Sequence, residues 1–177
     1  MTSSSPFFAL VLCCLAAPAA AQAPGSPVAD AFRTSAETNG RNLVAAAEVM
    51  PEDKYGYKPT PAQMSFGDVV GHLIQGNDFL CSKISGAAAP KRAELAKGAT
   101  KAQLVARLRE TFDFCQSTLA KVEDSKLDTK VDFFGDHQVT RAKAMFVTAE
   151  DWADHYGQLA NYLRLNGLLP PTAKKKA

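Results

Sequence analysis

Downstream of Thr100 the apolar residues Leu104, Leu108, Phe112, Cys115, Leu119 and Val122 recur at spacings of four, four, three, four and three. A period near 3.6 gathers all six on one stripe of an α-helix and fits neither face of a strand. Such a stripe has to be buried against something. Its start is marked too. Thr100, with Gln103 three positions on, is a capping box, in which the hydroxyl and the amide oxygen each accept from an otherwise unpaired backbone N–H.

The same solution recurs. Ser65 with Asp68 opens a second capping-box start, followed at helical spacing by Val69, Val70, Leu73, Ile74, Leu80, Cys81 and Ile84 and ended by Gly86. Upstream, 28–50 carries Val28, Phe32, Leu43, Ala46 and Ala47 and is stopped by Pro51. Thr38-Asn39-Gly40 in its middle are poor helix formers and mark an expected bend. The last helix runs over 140–166, from Thr140 to a left-handed stop at Gly167, and Pro170-Pro171 prevent its resumption. Between them, 51–64 holds three prolines and reads as a loop, and 123–139 has a turn-like Asp132-Phe133-Phe134-Gly135-Asp136 at its centre. Strand signals are few. The expected fold is all-α, most simply an up-down four-helix bundle.

At 177 residues with 46% apolar and 21% charged side chains, one domain with a buried core is the natural outcome. The formal charge is +2. Lys174-Lys175-Lys176 supply that excess, so the body of the chain is near neutral. No basic stripe with interleaved aromatics is present, which argues against a nucleic-acid partner.

Residues 1–21 have the make-up of a secretory signal. Phe7-Phe8-Ala9-Leu10-Val11-Leu12-Cys13-Cys14-Leu15 is too short to span a bilayer, which takes about 20 apolar residues. Ala19-Ala20-Ala21 offers an A-x-A cleavage site before Gln22. The expected organisation is a signal peptide over 1–21, a linker over 22–27, the bundle over 28–171 and a disordered basic tail over 172–177. The product would be periplasmic or secreted, with no membrane attachment once the signal is removed. Cleavage removes Cys13 and Cys14 and leaves Cys81 and Cys115. In an oxidising compartment this pair either forms a disulfide, if the fold brings the Cα atoms within about 7 Å, or stays as two buried thiols.

Asp151 and His155 stand four residues apart, on one face of the last helix, in a stripe with Met145, Thr148, Trp152, Leu159 and Tyr162. Inward polar groups are costly unless they pair or bind a metal. His72, between Val69 and Leu73, is expected on or near the core-facing side of the second helix. Together the three form a plausible ligand set. Two imidazoles and a carboxylate suit Zn²⁺, Ni²⁺, Fe²⁺ or Mn²⁺ with positions left open for water. Taken alone, such a spacing is more often an ordinary Asp–His ion pair beside a core histidine. His137 is a candidate general base or a solvated loop residue. Gln158 is placed to orient His155 or to cap a helix contact, and Tyr156 adjoins the same residue. Asp154 is expected to face away, and Trp152 to be core or pocket wall. No Gly-rich phosphate loop, nucleophile elbow or Cys-x-x-Cys motif occurs.

The run Asp154-His155-Tyr156-Gly157-Gln158-Leu159, with Tyr162-Leu163-Arg164-Leu165-Asn166-Gly167 and Pro170-Pro171, resembles the last-helix signature of the DinB-like superfamily. Gly71-His72-Leu73 resembles that family's first histidine segment. Phe133-Phe134-Gly135 through Thr140-Arg141-Ala142-Lys143-Ala144 resembles its lead into the last helix. The resemblance implies an up-down four-helix bundle, often a homodimer, with a divalent metal held by a histidine of the second helix and an H-x3-H pair of the last. By position the ligands are His72, Asp151 and His155. Asp151 stands where the family usually has its second histidine, which makes the set two histidines and a carboxylate, as at non-haem iron sites. The implied activity is metal-dependent hydrolysis, or transfer of a thiol or other group, on a small-molecule substrate. Cytosolic thiol cofactors are scarce outside the cell, so export favours hydrolysis. The alternative is a non-enzymatic, stress-related or binding bundle that has lost the metal and keeps a hydrogen-bonded polar core.

Overall fold

A helix forms wherever the chain supplies a stripe and a cap. In the computed structural model, which describes Met1, 25–135 and 137–173, these are α1 (Pro27–Val49), α2 (Phe66–Ser85), α3 (Lys101–Leu119) and α4 (Arg141–Leu165). Apart from Met1 the expected leader lies outside the described residues, as do the three tail lysines. Both capping boxes are present, at Ser65/Asp68 and Thr100/Gln103. The Thr140 hydroxyl caps α4 by accepting from the Lys143 N–H. Gly86 and Gly167 adopt φ of 80° and 72°, a region that L side chains rarely enter.

Three features differ from the expectations. First, α1 runs unbroken through Thr38-Asn39-Gly40. The glycine serves packing: a Cβ at position 40 would stand 2.9 Å from the Phe112 ring, so α1 and α3 approach closely there. Its N-terminus has no cap from Ser26. Asp124 supplies one from far along the chain, its carboxylate accepting from Val28 N at 3.0 Å and Ala29 N at 2.8 Å. Second, the 123–139 connection contains a short antiparallel hairpin, β1 (Lys130–Asp132) with β2 (Gln138–Thr140), in register Val131 to Val139. Six strand residues are too few to give an alternation legible in sequence. Third, the described chain continues past Pro171. Pro171–Ala173 form a 3-10 turn, and Thr172 exchanges hydrogen bonds with the Tyr156 hydroxyl, so the stretch expected as tail begins with fixed residues.

The helices share one core. α1 packs on α3 and α4, and α2 packs on the same two. Trp152 is fully buried, with Phe32 and Phe112 on its ring at 6.1 and 5.6 Å between centroids. Asn77, also buried, accepts from the Trp152 indole N–H at 2.8 Å and donates to the Thr111 hydroxyl at 3.0 Å, linking α2, α3 and α4. One turn further along, a disulfide joins Cys81 of α2 to Cys115 of α3, with 5.2 Å between Cα atoms. The connection between these helices is pinned by Arg92, which pairs with Asp78 and Glu110. Among the described residues no helix is long and apolar enough to cross a membrane.

Candidate metal centre

α2 and α4 are neighbours, and the Asn77–Trp152 hydrogen bond sets where one helix meets the other. Five residues before Asn77 stands His72; on either side of Trp152, within one turn, stand Asp151 and His155. The consequence is convergence. Each of the three offers one ligand atom, and these atoms all lie within 4.8 Å of one another. The imidazole rings of His72 and His155 meet edge to face at 4.9 Å between centroids. Asp151 Oδ1 stands 3.3 Å from His155 Nε2.

Depth differs from the sequence reading. His155 is buried, Asp151 is half-buried and His72 is exposed, so the cluster sits at the rim of the helical core and opens to solvent. Periodicity reports the direction of a side chain, and the edge of an apolar stripe can be wet.

The Asp151 carboxylate, by hydrogen bond and charge, holds the His155 imidazolium above the usual histidine range despite the burial that opposes it. A proton therefore competes with a cation for this ring. The other ring nitrogen, Nδ1, is buried with no hydrogen-bond partner. Gln158 stands near enough to the ring to favour its charged form, without a hydrogen bond to Nδ1. Its amide nitrogen donates instead to Asp154 at 3.0 Å, on the exposed side of α4.

The donor set fits a divalent ion on chemistry: two imidazoles and one carboxylate offset half of its charge, and the wet side leaves room for water. Donors around one first-row ion stand roughly 3 to 3.5 Å apart, so the three groups need to close by about an ångström from their present spread. His72, the exposed member, is the one free to move. Of the other sequence candidates, His137 is exposed on the hairpin outside the cluster, its carbonyl accepting from Phe133 N. Tyr156 anchors Thr172, and Trp152 is core. Asn77 and Thr111 were not singled out from the sequence. Their signal was there, as polar residues inside apolar stripes.

A family model described as the DinB superfamily matches residues 35–159. Three solved structures share the fold. A DinB-like protein from Bacillus subtilis aligns at 20% identity and a TM-score of 0.66, covering 82% of this chain and 99% of its own. One from Bacillus cereus aligns at 17% and 0.67, covering 80% and 95%. A conserved protein from Enterococcus faecalis aligns at 16% and 0.60, covering 81% and 98%. At these identities the likeness is one of fold. No curated protein matches the sequence.

Proposed function

This chain belongs to the DinB superfamily, and from that premise we propose that it is an exported, divalent-metal-binding protein that hydrolyses a small-molecule substrate or transfers a thiol or other group. His72, Asp151 and His155 would hold the ion. The observation that carries this reading is the convergence of three ligand-type groups from two helices within 4.8 Å, at a rim open to solvent. Zn²⁺, Ni²⁺, Fe²⁺ and Mn²⁺ all suit the donors. When bound, such an ion supplies Lewis acidity, which polarises a substrate oxygen and lowers the pKa of water toward neutrality.

The chain's own residues do the rest. Asp151 contributes the one negative charge of the set and, in the metal-free protein, faces Nε2 of His155 at 3.3 Å, where an arriving ion would displace the proton. His72, exposed, meets incoming substrate first. Trp152, Phe32 and Phe112 keep water from the buried side, so chemistry is confined to the open face. The family resemblance implies an up-down order of the helices, within a packing that sets α1 and α2 each on α3 and α4. Export is supported by the apolar run and the A-x-A site of 1–21. A homodimer, which the family resemblance implies, would bury exposed apolar side chains such as Phe146 and Leu165.

Elemental analysis of the mature protein tests the proposal after reconstitution with each of the four metals in turn. About one equivalent of one metal is expected, lost in Asp151→Ala and His155→Ala. Less than roughly a tenth of an equivalent with all four would overturn it. Chelation should lower the melting temperature, since an ion at about 100 times its dissociation constant stabilises by about 2.7 kcal/mol. A melting temperature indifferent to chelator and metal would favour the non-enzymatic polar core, for which the Asp151–His155 pair suffices. Mass measurement of the exported product should place its start at Gln22.

A further inference from the structure

On α2, His72, Gly76, Phe79 and Lys83 follow one another at intervals of four, three and four, so they lie along one face. From His72 to Phe79 is two helical turns, about 10 Å along the axis. Between them Gly76 carries no side chain, and the exposed Gln75 flanks the line. A Cβ at Gly76 would meet only Leu80 of its own helix, at 3.7 Å. At the far end the hairpin folds back onto α2, and three phenylalanines meet. Phe79 lies 5.3 Å from Phe134 and 6.4 Å from Phe133, and Phe133 meets Phe134 at 4.7 Å, centroid to centroid. Lys83 closes the row, its ammonium 5.5 Å from the centre of the Phe79 ring.

Phe134 is the anomaly. Among the described residues it is the one non-glycine with a positive φ, at 42°, and the residue is 56% exposed. A backbone held there, beside Gly135 in the turn of the hairpin, costs on the order of 1 kcal/mol or more; the contacts with Phe79 and Phe133 offset that cost, yet over half of the residue stays in water. Phe133 alone suffices for the core, being buried. Strained, exposed residues of this kind concentrate at ligand sites.

We propose that Phe79 and Phe134 form an aromatic shelf that binds the apolar, ring-sized end of the substrate, with the Gly76 gap as the trough along which the rest of that molecule reaches His72, Asp151 and His155. The substrate is thereby narrowed to small molecules with an aromatic or bulky apolar group about 10 Å from the reacting bond, the spacing set by two turns of α2. This rests on the metal reading for its reacting end and stands apart from it at the aromatic end.

Two titrations test it. The first uses 1-anilinonaphthalene-8-sulfonate fluorescence with the full mature chain, metal-free. Phe134→Gly, which relieves the positive φ and so keeps the fold, should weaken binding three- to tenfold, in line with one lost aromatic pair. Phe79→Leu should weaken it similarly, and Phe146→Ala, an exposed phenylalanine on the opposite face of α4, should leave it unchanged. The second compares acetohydroxamate with 4-phenylbutyrohydroxamate on metal-loaded protein. The phenyl tail should improve affinity in the wild type and lose that advantage in Phe134→Gly. Absence of probe binding, or Phe134→Gly within twofold of wild type, overturns the shelf. So does a Phe134→Gly variant that changes only the dimer content in size-exclusion chromatography, since the shelf is then a subunit contact. If no metal binds, acetohydroxamate binds no variant while the first titration still reads the shelf, which separates the two failures.

Discussion

Asn77→Ala would remove the acceptor of a fully buried indole N–H. Trp152 Nε1 lies 2.8 Å from Asn77 Oδ1, and the tryptophan is wholly enclosed, so water cannot replace the lost partner. Leaving such a donor unpaired costs about 1 to 3 kcal/mol. Thr111 suffers less, because its hydroxyl still donates to the Leu108 carbonyl at 2.8 Å. With the small void left by the amide, the total comes to about 2 to 4 kcal/mol. Trp152→Phe removes the donor instead. In that background Asn77→Ala should cost about 1 to 3 kcal/mol less than alone, the signature of a direct pair. Urea unfolding followed by far-UV circular dichroism measures all four corners of the cycle, and it has to be optical in this way because Trp152 is the sole tryptophan. A single-variant loss below about 0.5 kcal/mol, or two losses that simply add, would refute the pairing. The variant also reaches the site. Asn77 hydrogen-bonds to Trp152 and Thr111 and to none of His72, Asp151 and His155, yet it holds α2 against α4, so Asn77→Ala should weaken metal uptake by the folded protein.

Reducing the Cys81–Cys115 bridge, or replacing both with serine, should lower stability by about 3 to 4 kcal/mol for its sequence separation of 34; urea midpoints equal with and without reductant would contradict this. Gly40→Ala sets a helix-propensity gain of about 1 kcal/mol against an overpacking cost of about 1 to 3 kcal/mol, since the new methyl meets the Phe112 ring at 2.9 Å. Phe112 is itself held by Trp152, so the melting temperature should fall, and Phe112→Leu in the same chain should recover part of the loss. Asp68 is held below the usual carboxylate range by its hydrogen bonds with Ser65. Its contribution is therefore complete above about pH 4 and is lost as pH falls through the lower folded value. Asp68→Ala should cost about 1 kcal/mol at neutral pH, and the gap to wild type should narrow in acid; a gap independent of pH would remove the charge from the explanation.

The four helices were legible because their signals are local and redundant. At α2 the stripe, the capping box and Gly86 agree within 22 residues, and nothing distant can overrule them. The hairpin was not legible because Val131 and Val139 pair through a tertiary fold-back, and three residues a side carry no alternation to read. The bend expected at Thr38-Asn39-Gly40 failed for a related reason. Propensity charges Gly40 about 1 kcal/mol against alanine, but the close approach of Phe112 makes the missing Cβ a requirement. Asp124, as the distant cap of α1, had no sequence signal at all, since 95 residues separate it from the Ala29 N–H it accepts.

At the site the limits of sequence reading are those of geometry. Spacing of four placed Asp151 and His155 on one face of α4 because that relation lies within a single helix. The meeting of His72 with them depends on how far α2 slides along α4, and a shift of one residue moves a side chain by about 1.5 Å along the axis. That is comparable to the ångström by which the three donors exceed the spacing around a single ion. The register is held by groups that carry no chemistry: Asn77 on Trp152, and the Cys81–Cys115 bridge that fixes α2 to α3 one turn away. The exposure of His72 follows from the same arrangement. A histidine that faces solvent while its two partners are anchored by the core can close on a cation without disturbing Trp152, whereas three buried ligands would have to move the packing with them. The polar residues buried beneath the site are thus the ones whose loss should spread furthest, in stability and in metal affinity together.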